Sequence, residues 1–352
     1  MFIKCLCLGI ALLLYACKSD DGDWHKAPHF LVEPNSTIKI RVINATNGRL
    51  ARMTPEQIRL MLASTQSIVK THFGVNVEFT DVTETKIEQI FALIPPPLLE
   101  MRKSTIYDFK SGTGDRQRLA KSINTTLTQR GTKLEDGLDY VRPYLPNAQA
   151  KDLMSFSALL STVMLERLQN WGRVMAADGK PVLDASAYNE IADWDILGYG
   201  NLKYDLIITN QLFASAEYAG VDIHTAIRGG VTVGLTTYSR NSKFGSYIVW
   251  STFPFVDNSD NTILLRGGET YSATEAAELS GAYLAHEIGH LLFQFGHPFG
   301  QKSCVMNPVS MLRFREWSNQ INSTNCKIGS RPEMTPGAIP EYYNTNWLQP
   351  QH

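Results

Sequence analysis

Ten residues, Leu284-Ala285-His286-Glu287-Ile288-Gly289-His290-Leu291-Leu292-Phe293, carry the pattern H-E-x-x-H inside an apolar run. On an α-helix, residues four apart share a face one turn apart. His286 and His290 could then present imidazole nitrogens to one Zn²⁺, which takes such ligands at about 2.0–2.1 Å. Glu287 directly follows the first histidine, so its carboxylate can reach a water beside the ion without ligating the ion itself. The chemistry this predicts is metal-assisted hydrolysis with Glu287 as general base. The plain alternative is a buried helix with two hydrogen-bonded histidines.

The motif requires a helix, and the residues before it supply one. Ser272-Ala273-Thr274-Glu275 reads as a capping box. Ala276, Leu279, Ala282 and Tyr283 then form an apolar face with no helix breaker before His286. Upstream, 37–42 (T-I-K-I-R-V) alternates as a strand. Thr54 to Gln57 opens a helix with Thr54 as N-cap, Pro55 at the first position and Gln57 closing a capping box. That helix should end near Phe73-Gly74, and 75–82 is a second alternating strand. Residues 84–200 change character and hold several helical patterns, 150–171 among them. Strands resume at 204–209, an apolar run suited to a sheet centre, at 230–238, a Thr- and Gly-rich edge, and at 246–253.

Two histidines leave zinc one short of the three protein ligands of a catalytic site. An unbroken helix would carry His297 about 10 Å past His290, too far to share an ion. Gly296 predicts a left-handed residue that reverses the chain, and Pro298 disfavours further helix. Glu316 is the rival third ligand, at a spacing tolerable for a downstream glutamate.

With His297 included, the region resembles the metzincins, zinc peptidases with the signature H-E-x-x-H-x-x-G-x-x-H followed by a methionine turn. His286, Glu287 and His290 match directly. His297 matches after one extra residue, and Phe293 stands where the family has its glycine. Met306 fits the methionine turn, while Pro308 occupies the place where some members have a tyrosine ligand. The resemblance implies an α+β fold: a metzincin-like catalytic domain with a mixed twisted sheet bearing one antiparallel edge strand, an active-site helix and a large helical insertion. It also implies zinc bound by His286, His290 and His297, with an extended peptide added to the edge strand at 230–238. The implied activity is that of a zinc metalloendopeptidase on peptide or protein substrates. A surface binding or adhesion lipoprotein with a catalytically silent zinc site is the alternative.

The N-terminus reads as an export signal. Lys4 precedes an apolar stretch, 5–15, too short to span a membrane as a helix. Leu14-Tyr15-Ala16-Cys17 resembles the lipobox of bacterial lipoproteins, in which the cysteine is acylated and starts the mature chain. The expectation is an exported protein, lipid-anchored through Cys17 to a bacterial membrane and facing the periplasm or the cell surface; plain secretion is the alternative. Cys304 and Cys326 then remain in an oxidising compartment and are expected to pair. The expected organisation is signal peptide 1–16, lipidated tether 17–36, catalytic domain 37–83 and 201–335, helical insertion 84–200 and C-terminal tail 336–352. Hydrophobic content of 43% and charged content of 19% in 352 residues are those of a folded globular chain. A net charge of −1 offers no case for nucleic acid as a partner.

Overall fold

The computed structural model describes residues 35–103, 109, 112, 114–184, 188–215, 218, 221–239, 241–293 and 295–323. The lipobox, Cys17 and Cys326 lie outside the described residues.

The first strand expected from alternation divides at Arg41 into β1 (Thr37–Ile40) and β2 (Val42–Thr46). The Arg41 backbone N–H donates to the Asp205 carboxylate at 2.9 Å, and its side chain pairs with the same group at 2.6 Å. Helix α1 (Pro55–Phe73) begins at the Thr54–Gln57 capping box and ends at Gly74, whose φ of 70° is left-handed. β3 (Asn76–Phe79) runs parallel to β1, and β4 (Thr83–Lys86) parallel to β2. Six helices follow: α2 (Ile87–Phe91), α3 (Pro96–Lys103), α4 (Arg116–Gln129), α5 (Leu134–Val141), α6 (Leu153–Trp171) and α7 (Ile191–Asp195).

The strands then return as β5 (Leu206–Thr209), β6 (Phe213–Ala214), β7 (Val231–Thr232), β8 (Gly234–Tyr238) and β9 (Ser246–Ser251), with short helix α8 (Ile223–Ile227) before β7. The main sheet has the order β4-β2-β5-β9-β8 and is parallel except for the antiparallel edge strand β8. The stretch expected as one edge strand therefore divides. Its first part, β7, pairs with β6, and only β8 forms the edge. Helices α9 (Phe253–Val256), α10 (Asp260–Leu265), α11 (Ala273–Phe293) and α12 (Phe314–Gln320) complete the described chain.

A parallel sheet must be covered on both faces, which is why β5 and β9 are buried throughout. Leu206, Ile208, Ile248 and Trp250 face the larger core with α1 and α11. Ile207, Tyr247 and Val249 face a second core with Ile90, Phe91 and Trp194. The helices between β4 and β5 thus join two different cores. Those of α2 and α7 cover the far face of the sheet, whereas Leu119, Leu138, Phe156 and Trp171 of α4, α5 and α6 join the core around α11. The fold is a mixed α/β arrangement of twelve α-helices, among the described residues, around a mixed sheet of five strands. None of the described helices is long and apolar enough to cross a membrane.

Candidate metal centre

Helix α11 buries nearly its whole length, His286 and Glu287 included, and sets His286 and His290 one turn apart on one face. Their Nε2 atoms lie 3.0 Å apart. His297 completes a triangle, its Nε2 being 3.2 Å from that of His286 and 3.1 Å from that of His290. The turn that brings it back differs from the expected one. The helix ends at Phe293, and Gly296 is not among the residues of positive φ. The reversal is held instead by aromatic packing and a hydrogen bond. Phe293 and Phe295 stack at 5.0 Å and both lean on Phe73 of α1, while the Phe295 carbonyl bonds His290 Nδ1. Burying each such ring contributes roughly 1.5–3 kcal/mol, so two rings fix the turn without a left-handed glycine.

Each imidazole is held by its other nitrogen. His286 Nδ1 bonds the Val305 carbonyl at 3.0 Å, and His297 Nδ1 bonds Asp222 Oδ2 at 3.1 Å. A carbonyl oxygen can only accept, so His286 and His290 must donate from Nδ1 and carry a lone pair at Nε2. Burial, reinforced by their neighbours, holds both well below the ordinary histidine pKa. Burial also pushes His297 down, although Asp222 pulls the other way. Neutral imidazoles with three lone pairs converging at about 3 Å repel unless a cation sits among them. The group His286, His290 and His297 can hold a metal ion. Asp222, His224 and His297 form a second group of close ligand atoms. In that group Asp222 Oδ2 already meets both Arg130 and His297.

Glu287 is buried next to the triad, and burial pushes its carboxyl up to about 7 against the Thr236 hydrogen bond and the positive charge of Arg228. Thr236 lies on edge strand β8 and donates to Glu287 Oε2 at 2.7 Å. Gly234, two residues earlier on β8, gives this carboxylate its room: a Cβ there would stand 2.8 Å from both Cγ and Oε1 of Glu287. A second close approach lies beneath the triad. A side chain at Gly289 would strike Met306 Sδ, so the glycine in H-E-I-G-H is where α11 receives the methionine. Met306 is fully buried, and Tyr283 stacks on His286 at 5.1 Å.

Glu316, the rival ligand, is exposed on α12 and faces Arg313 and Gln320. Cys304 is buried and disulfide-bonded. Asp222, Arg130, Thr236 and Arg228 were not legible as parts of this site. Only Thr236 carried a signal, since alternate residues of an edge strand face the same way. Asp222 is 2% exposed, and although burial opposes its charge, Arg130 and the His297 hydrogen bond hold its carboxyl well below the usual carboxylate range.

Comparison with known proteins returns no relative: no protein-family model, no curated protein and no solved structure matches the chain.

Proposed function

We propose that the protein is a zinc-dependent endopeptidase of metzincin type, exported and lipid-anchored through Cys17. The observation that carries this reading is the convergence of three Nε2 lone pairs beside a buried carboxylate that is tied to an edge strand. Zinc bound there supplies Lewis acidity, polarising a carbonyl and bringing a water towards ionisation near neutral pH. The chain's own groups do the rest. Among the described residues β8 pairs on one side only, and along its other edge an extended peptide can add as a further strand. Thr236 occupies Oε2 of Glu287, leaving Oε1 to take the proton from the attacking water. As the water oxygen bonds the peptide carbon and the C–N bond breaks, Glu287 delivers that proton to the leaving amine nitrogen. Met306 packs against Gly289 of the motif, and the Phe73–Phe293–Phe295 cluster packs at the end of its helix.

The lipoprotein part rests on Leu14-Tyr15-Ala16-Cys17 in the sequence. The test is metal analysis of the purified chain together with digestion of a broad peptide library. Wild type should carry one zinc and cleave; Glu287→Ala should keep the zinc and lose about 10²–10⁴-fold in rate. A fully active Glu287→Ala protein would overturn the assignment. Zinc without cleavage in wild type would favour the silent binding protein.

A further inference from the structure

His286 and His290 are aimed by their helix, but His297 lies on coil after a turn one residue longer than the family signature. Its aim must come from elsewhere. Among the described residues, the side chain at its Nδ1 is that of Asp222, 75 residues upstream. Asp222 is fixed at both oxygens. Oδ1 accepts the Ile223 backbone N–H at 2.7 Å as the N-cap of α8, and Oδ2 meets His297 Nδ1 and Arg130 Nη1. Arg130 is itself placed by the end of α4, its backbone N–H bonding Thr126 O at 3.1 Å. His224 Nδ1 stands 3.8 Å from the same carboxylate oxygen, beyond hydrogen-bond distance.

On the metal reading above, we propose that Asp222, oriented by Arg130, is the positioning residue of the third metal-binding histidine. The carboxylate accepts the Nδ1 proton, which fixes the tautomer with its lone pair at Nε2, turned towards His286 and His290. A carboxylate is a stronger acceptor than the carbonyls serving the other two, so it also makes His297 the more basic donor. Arg130 belongs to the helices between β4 and β5, and through it that segment sets how tightly the metal is held.

A purely structural role for Asp222 is separable, because the cap uses Oδ1 and asparagine caps as well as aspartate. In Asp222→Asn the cap survives, but an NH₂ group replaces the acceptor at His297. His297 Nδ1 must then accept, which puts its proton on Nε2 and removes the lone pair. The experiment is competition titration of Zn²⁺ against a chelator with the full chain, using wild type, Asp222→Asn, Arg130→Gln, His297→Ala and each double variant. The metal-free melting temperature and the absorption spectrum of the Co²⁺ form are read alongside.

Asp222→Asn should weaken Zn²⁺ about 10–100-fold and lower metal-free melting through the lost Arg130 pair, and the affinity loss should all but vanish once His297 is alanine. Arg130→Gln should weaken it less, and again only when His297 is present. Wild-type affinity in Asp222→Asn, or equal weakening with and without His297, overturns the proposal. Should Asp222→Asn fail to fold, Arg130→Gln decides, and an unchanged affinity there overturns it as well. A wild-type chain that binds no zinc defeats the metal reading itself, a result distinct from any of these.

Discussion

The triad is assembled by two different means. His286 and His290 stand four residues apart on one helix and give their Nδ1 protons to the carbonyls of Val305 and Phe295, 19 and 5 residues away. His297 stands on coil and gives its proton to a side chain, Asp222, drawn from beside the helical segment and tied to it by Arg130. The spacing of the first half is local, contained in the 3.6-residue period, although His286 also leans on the Val305 carbonyl. The second half is tertiary and exists only when α4, α8 and the turn after α11 are packed together. One half can therefore persist where the other is lost.

Single ligand deletions should sharpen this division most. His290→Ala removes part of the helical pair and should abolish zinc binding, whereas His297→Ala should leave a weak two-histidine site. Inductively coupled plasma analysis after dialysis against graded chelator will rank them, and equal losses would erase the division.

Acid should act next. Burial lowers His72, near the end of α1, to about 4, against about 6.5 when exposed. Between those values the unfolded chain binds a proton that the folded chain refuses. Stability present above pH 6.5 is therefore lost as pH falls towards 4, by up to about 3 kcal/mol. Denaturant unfolding of the metal-free protein at pH 7 and pH 4.5 should show a smaller drop in His72→Gln than in wild type. An identical pH dependence in the two would contradict the assigned burial.

Overpacking the floor follows. Gly289→Ala drives a methyl group into Met306 Sδ and to 2.9 Å from Phe73 Cζ, which should cost about 1–3 kcal/mol in thermal unfolding. The smallest effect expected is from Tyr140→Phe on the tertiary side. The Tyr140 hydroxyl lies 3.0 Å from the Pro308 carbonyl and 2.9 Å from that of Val309, bracing the chain just after Met306. Losing that hydroxyl should cost about 1–2 kcal/mol. No loss in a melting experiment would mean that the helical segment does not brace this turn.

What was readable beforehand divides along the same line. The α1 capping box, the Gly74 end and the α11 helix were legible because caps and apolar period act within a few residues. The central position of β5 was legible because a strand covered on both faces is apolar throughout. Arg41 hid the break between β1 and β2, since alternation continues through it while the reason for the break, Asp205, lies 164 residues away. The His297 position was legible from its residue type, but the means of reaching it was not. Gly296 suggested a left-handed reversal, whereas the turn is held by Phe293 and Phe295 against Phe73. Asp222 carried no mark at all, because a cap on a five-residue helix looks the same whether or not its second oxygen faces a histidine.

Zinc-edge X-ray absorption on the wild-type chain and on His297→Ala tests the centre of this account most directly. The predicted result is one zinc with three imidazole nitrogens at about 2.0–2.1 Å, falling to two in the variant. A wild-type chain without bound metal, or a variant with an unchanged shell, would contradict it.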